Sequence, residues 1–435
     1  MAEPTAVPSR GLTVRGRRLI SALVLAALVV VAIIVIARRD TPLSRESRAA
    51  RAAIDQGRPV DALAHLDAWI RSRPDSAEAQ FLKARAEFSL GHLPEAMQCL
   101  DRAEQLGHDA RPLYRLRALV FTQAGLFIRA EPILLNLLNE ATEPDPPLLE
   151  ALARVYLETY RLEMAGKVIQ KWIADSPRDP KPFLWQTEID ARLEEHNPQV
   201  EEQHFREALD RDPGLDRARL GLARALAKNR RDDEAIREFD IYIAANPDDP
   251  RGLLGLGELR LKRGELDAAS SLIDRALELE PASHDATRQR ASLDILRGDT
   301  SAALVHLTAA IESDPLDLDS LYQRMLIYGR LDRKQEAQAD KDRVDKLRAD
   351  QLEVVQLRDR MMTEPDRLEH RLKLASWMLE HGRDDQAIRW LRNILASQPR
   401  NPEANRLLAD YHERRGESGL ANHYRLLGET ARPSQ

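Results

Sequence analysis

From Leu19 to Ala37 the chain carries no charge, and Ser21 is the only polar side chain in those nineteen residues. As a helix rising 1.5 Å per residue the run is roughly 28 Å long, close to the ~30 Å hydrocarbon core of a bilayer. It ends in Ile36, Ala37, Arg38 and Arg39 without a small-x-small cleavage site, which predicts an anchor in place of a cleaved signal peptide. A buried core helix fits poorly, because no side of the run is polar. After the anchor the apolar residues fall into short helical stripes broken by Gly or Pro at regular intervals, which predicts many short helices and no strands.

The intervals are a repeat. Ala62, Ala96 and Ala130 stand 34 residues apart, as do Ala235, Ala269, Ala303 and Ala337. Ala165 and Glu201 join the two runs with one and two extra residues, and a 50-residue step leads to Ala387, with Ala421 another 34 on. Eleven units result. Twelve residues before this reference stand Ala50, Ala84, Ala118, Ala153, Ala223, Gly257, Ala291, Ala375 and Ala409, with Ile189 and Met325 as departures. Five before it stand Gly57, Gly91, Gly125, Gly264, Gly298, Gly382 and Gly416. Twelve after it stand Pro74, Pro177, Pro213, Pro247, Pro281, Pro315, Pro399 and Pro433. Four after it is a large apolar residue in most units, such as Leu66, Leu100, Ile169, Phe205, Phe239, Ile273 and Leu391.

Each position has a physical role in a helix pair. Gly closes the first helix, where the chain turns left-handed. Pro follows the second helix, because it lacks the N–H and clashes with a continuing turn. The two small residues let the partner helices approach closely, and the large one fills the contact a turn away. One pair alone leaves apolar surface uncovered, so its neighbours must stack on it.

These residues resemble the tetratricopeptide-repeat consensus, W-x-x-L-G-x-x-Y, then A, F and P over 34 residues. The unit from Pro250 to Pro281, with Leu256, Gly257, Gly264, Ala269, Ala276 and Pro281, is most similar to it, and Trp185 falls at the Trp position. The resemblance spans roughly residues 43 to 433. It implies an all-α, α/α superhelical solenoid of about eleven such pairs, preceded by one transmembrane helix. Glu201 and Lys341 stand where the pattern is apolar, so units five and nine are expected to be irregular.

The chain then divides into a tail over 1–18, a transmembrane helix over 19–37 and a linker over 38–42. Repeats one to nine cover 43–351, a helical insertion 352–367, and repeats ten and eleven with a tail 368–435. No Gly or Pro interrupts Lys334 to Met362, which suits either a long helix joining two stacks or a spur for homo-oligomer formation through the 334–362 helix.

Composition narrows the function. With 65 basic and 71 acidic residues there is no overall basic field of the kind a nucleic-acid partner needs. Arg outnumbers Lys by 55 to 10, the bias of a GC-rich coding sequence, which points to a bacterial source. The one cysteine, Cys99, allows no internal disulfide and reads as a small buried hydrophobe. The eleven histidines are scattered. Glu201 and His204 have half of a di-iron spacing with no second copy, and Asp314, Asp317 and Asp319 lack the Gly and closing Glu of a calcium loop. Trp377 and Trp390 read as repeat core. No catalytic residue, cofactor or metal is expected. The repeats leave no room for a separate catalytic domain.

What remains is a surface. The resemblance implies that the residue after the first helix's small position lines an inner groove. It reads Arg51, Arg85, Leu119, Arg154, Asp190 and Arg224 in the first six units, then Glu258, Ser292, Leu326, Ser376 and Asp410. Arg51, Arg85, Arg154 and Arg224 form an arginine ladder suited to carboxylates or phosphates, the alternative being a solvated face. The Lys and Asn clamp by which some members of the family grip a C-terminal carboxylate is absent at these positions. The expectation is a membrane-anchored scaffold that binds protein segments and assembles or regulates an envelope complex. Binding of an anionic polysaccharide along the ladder, or an atypical enzyme site in the solenoid, stay open as alternatives.

Charges flank the anchor almost evenly: Arg10, Arg15, Arg17 and Arg18 before it, Arg38, Arg39, Arg45, Arg48 and Arg51 after it. A short tail with four Arg would cross outward against about 2.3 kcal/mol per charge per 100 mV, whereas long domains translocate largely regardless of charge. The repeats are therefore expected on the periplasmic side of the bacterial cytoplasmic membrane. An alkaline phosphatase fusion after Gln435 should be active; an inactive but stably expressed fusion would reverse the orientation.

Overall fold

The structure, a computed structural model, describes residues 42–193, 197–365 and 367–429. The apolar run Leu19–Ala37 lies outside them, and among the described residues no helix is long and apolar enough to cross a membrane. Every regular element described is an α-helix, and the described residues form twenty-two of them. The first five helices are α1 (Pro42–Asp55), α2 (Pro59–Ser72), α3 (Ala77–Ser89), α4 (Leu93–Gln105) and α5 (Ala110–Gln123). They belong to one compact unit ending at Gln123. From Ala124 a second unit begins. It holds α6 (Phe127–Asn139), α7 (Pro146–Glu158), α8 (Leu162–Asp175), α9 (Lys181–Asp190), α10 (Pro198–Arg211) and α11 (Asp216–Lys228). There follow α12 (Asp232–Ala245), α13 (Pro250–Lys262), α14 (Leu266–Leu279), α15 (His284–Arg297), α16 (Thr300–Ser313) and α17 (Leu318–Arg330). The chain continues through α18 (Lys334–Thr363), α19 (Leu368–Glu380), α20 (Asp384–Ser397), α21 (Pro402–Arg414) and α22 (Ser418–Glu429).

The repeat positions explain the boundaries. Ser76, Asp249, Asp317 and Asn401, fourteen residues after the reference, each cap a first helix by accepting a backbone N–H at its start. All seven glycines at the end of first helices have positive φ. At the same place in three other repeats Tyr160, Arg230 and Asp332 take φ of 58°, 59° and 54°. The turn imposes the left-handed conformation even where a side chain makes it costly.

Packing follows the same register. Ala62, Ala96, Ala130, Ala165, Ala235, Ala269, Ala303, Ala387 and Ala421 are wholly enclosed, as are Ala50, Ala84, Ala118, Ala153, Ala223, Ala291 and Ala375 on the first helices. In the first unit Leu66 and Leu82 share one core cluster and Leu100 and Leu116 another. Cys99 is half-buried beside the latter, and burial pushes its thiol pKa up. In the second unit the size of the residue four after the reference dictates what the next first helix carries opposite it. Phe205 faces Gly221 and Phe239 faces Gly255; a Cβ on either glycine would come within 2.2 or 2.3 Å of the ring. Where the filler is Ile273, the corresponding position is Gln289.

The two irregular repeats hold together through charge. In repeat five Glu201 pairs with Lys228 at 3.2 Å, while the buried Glu202 meets Arg206, Asn229 and Arg231. Burial opposes ionisation of Glu202, yet those partners hold its pKa below the usual carboxylate range. In repeat nine Lys341 is exposed, and the contact is made one residue earlier by Asp340. Asp340 accepts a two-pronged pair from Arg324 at 2.7 and 2.8 Å. Removing one partner of so buried a pair costs about 3–5 kcal/mol. Residues 352–363 are the second half of the unbroken α18, which turns inward through Leu357 and Met361 and leaves Leu352 and Val355 exposed.

Gly255→Ala tests the size rule. Ala is the better helix former by about 1 kcal/mol, but the clash with Phe239 should dominate and destabilise the protein by about 1–3 kcal/mol. Urea denaturation of Gly255→Ala, and of Gly255→Ala with Phe239→Leu, should show the second change restoring most of the loss.

Candidate binding groove

Three successive first helices, α11, α13 and α15, present one face to a pocket of about 310 Å³. Residues at spacings of three, four and seven share a helix face, and Arg251, Gly255, Glu258 and Lys262 form that stripe on α13. Arg224 and Lys228 continue it on α11, with Asp285, Arg288 and Gln289 on α15. Ala227, Leu254, Leu259 and Phe239 supply apolar lining. The absence of a Cβ at Gly255 lets the Phe239 ring come up to the pocket.

Five cations and two carboxylates line the pocket. Lys262 pairs with Glu258 at 2.7 Å and Lys228 with Glu201 at 3.2 Å. Arg288 lies 3.7 Å from Asp285 and 3.8 Å from Asp319. Arg251 is pinned to Asp249, which also accepts from the Tyr242 hydroxyl at 2.7 Å and from the Arg251 backbone N–H at 2.9 Å. The hydrogen bonds from the Arg251 side chain hold the Asp249 carboxyl far below the usual range. Arg224 is exposed and its guanidinium has no ion pair or hydrogen bond among the described residues. A planar donor fork free of internal partners, beside other cations and above an apolar floor, suits a carboxylate carried next to an apolar side chain.

Of the four ladder arginines, Arg224 alone lines this pocket. Arg154, on α7, is exposed and outside the lining. Arg51 and Arg85 lie in the first unit, on α1 and α3, and both are exposed. Arg51 reaches Glu78 at 3.5 Å and lies 5.6 Å from the centre of the Trp69 ring, so it is partly engaged. Sequence reasoning took a single position per repeat and missed Lys228, Arg251, Lys262 and Arg288. The signal was present: Lys228 and Lys262 both stand seven residues before the reference, on the same helical stripe.

Other candidate positions are held in structural contacts. His204 contacts Asp190 at 3.0 Å, and Asp314 and Asp317 accept backbone N–H groups of Leu316 and Ser320. Among the described residues no group of three or more His, Cys, Asp and Glu could hold a metal ion. Trp377 stacks on His381 with centroids 4.2 Å apart, while Trp390 is half-buried and reaches Tyr160.

These features define an all-α solenoid of helix pairs with a groove along its first helices. Tetratricopeptide-repeat family models match residues 47–112, 193–253 and 254–317, the last two enclosing the groove. The chain carries tetratricopeptide repeats over those residues. No curated protein matches its sequence. Among solved structures it is similar to the human IFIT1 dimer with PPP-AAAA, at 17% identity over 82% of this chain and 91% of that one, TM-score 0.42. PilW, a widely conserved type IV pilus biogenesis factor, matches at 20% identity over 46% and 92% of the two chains, TM-score 0.41. The APC/C hetero-tetramer Cut9-Hcn1 matches at 12% identity over 84% and 83%, TM-score 0.39.

Asp249→Asn tests the pinned edge of the groove. The folded pKa is depressed, so the stabilisation is complete above the unfolded value near 3.9 and is lost as pH falls through the folded one. The stability difference between the parent protein and Asp249→Asn, measured by urea denaturation, should therefore be largest near neutral pH and shrink below about pH 4.

Proposed function

We propose that the protein is a membrane-anchored scaffold that holds an acidic segment of a partner protein in the groove over α11, α13 and α15, and so assembles or regulates a complex of the bacterial cell envelope. Interaction through tetratricopeptide repeats is the coarse function; the anchor, the periplasmic side and the acidic partner are our reading. The observation that carries the groove assignment is Arg224, without a partner among the described residues, beside an apolar floor in a pocket of about 310 Å³. That volume is near the lower end for small-ligand sites and suits one or two side chains of a docked segment. A local pocket of this kind favours a discrete segment over a polysaccharide lying along a ladder.

Peptides selected from a random display library on the purified full chain should be enriched in Asp or Glu beside Leu or Phe. Arg224→Gln with Lys228→Gln should weaken the best of them about tenfold, a loss of ~1.4 kcal/mol, and flatten its salt dependence. Arg85→Gln should leave binding unchanged. If no acidic enrichment emerges, or if an acidic polysaccharide competes more tightly than any peptide, the segment reading fails.

A further inference from the structure

Repeats in a solenoid ordinarily touch only their neighbours. In the second unit the start of α6 meets α20, far along the chain. The Ile128 N–H donates to Asn393 Oδ1 at 3.3 Å across 265 positions. Ile128 is the second residue of α6, where an N–H has no partner within its own helix. Asn393 stands six after the reference; Ile241 at that place in repeat six is 48% exposed, but Asn393 is 2% exposed. Gly125 lies against Arg389, whose Cδ would be 3.7 Å from an added Cβ. Tyr160 approaches Trp390 with ring centroids 6.1 Å apart, and the Arg358 guanidinium lies 6.0 Å from the Tyr160 ring. Arg358 also donates to the Arg192 carbonyl at 3.5 Å.

This seam is built to be weak. Its hydrogen bonds are long, and a pocket of about 260 Å³ opens beside it. It also holds Tyr160 at φ 58°, at a position where most other repeats have Gly. Unlike a Gly at this turn, Tyr160 carries a ring that meets Trp390 and the Arg358 guanidinium. We propose that the seam is a clasp: closed, it ties repeat ten to α6 and repeat four; open, those ends separate, with Tyr160 and Trp390 forming the latch. The groove helices α11, α13 and α15 lie between the two ends along the chain, so the closed clasp also holds their spacing. The clasp does not depend on what the groove binds.

Residue-resolved hydrogen exchange on the purified full chain reads the clasp directly, because the Ile128 amide is protected only while Asn393 accepts from it. In the parent protein Ile128 should exchange at least tenfold more slowly than an unprotected amide. Tyr160→Gly relieves the backbone strain and would strengthen a turn that served only to end a helix. As a latch residue, its loss should instead speed exchange at Ile128 about tenfold or more, as should Trp390→Leu. Arg230→Gly, the same change at a turn away from the seam, should leave Ile128 unaltered. Protection at Leu134, inside α6, reports whether each variant keeps its fold, and Asn393→Leu sets the rate for a fully open seam. An unprotected Ile128 in the parent, or unchanged protection in both Tyr160→Gly and Trp390→Leu with Leu134 intact, overturns the clasp.

Discussion

The structure depends on the contact between the second helix of one repeat and the first helix of the next. A helix pair closes its own seam with two small residues, as Ala84 and Ala96 do, but leaves an apolar face that only the following pair can cover. Burying one Leu, Ile or Phe in that face is worth about 1.5–3 kcal/mol, so a chain of such contacts outweighs the entropy of ordering short helices that would be marginal alone. The contact is also exacting in size. Phe205 and Phe239 are accommodated because Gly221 and Gly255 stand opposite them, so the local choice of filler propagates into the neighbouring repeat.

That constraint also shapes the groove. First helices held side by side at a fixed rotation bring the same helical stripe of each repeat to one face, so α11, α13 and α15 build a surface that none carries alone. Gly255 serves both contacts: its missing Cβ admits the Phe239 ring from one side and helps form the pocket floor on the other. The charges above this floor are largely compensated in pairs, and exposed pairs contribute little to stability. Arg224 has no such pair among the described residues.

Much of the architecture was legible in the sequence because it is local and repeated. The alanines, glycines and prolines at constant spacing predicted eleven helix pairs, and the described residues form twenty-two helices whose ends follow that spacing. Glu201 and Lys341 marked repeats five and nine as irregular, but not how they hold together: Asp340 takes over one residue away, because a bidentate partner, Arg324, is in reach. The groove was half legible. Arg224 was visible at its repeat position, whereas Arg251 and Arg288 were not, since they join the site only once adjacent helices are laid side by side.

The sequence alone determined the period, the helix ends, the buried small residues and the direction in which each helix turns its polar stripe, because each follows from interactions within about one repeat. It also set the left-handed turns, including those at Tyr160, Arg230 and Asp332, which occupy the glycine position of their repeats. Only the tertiary structure decided which stripe residues share a pocket, which cations stay without a partner, and that α6 meets α20. A small rotation between adjacent repeats accumulates along the array, so whether Ile128 and Asn393 arrive within hydrogen-bonding distance depends on the sum of every intervening junction. No periodicity in the chain encodes that sum.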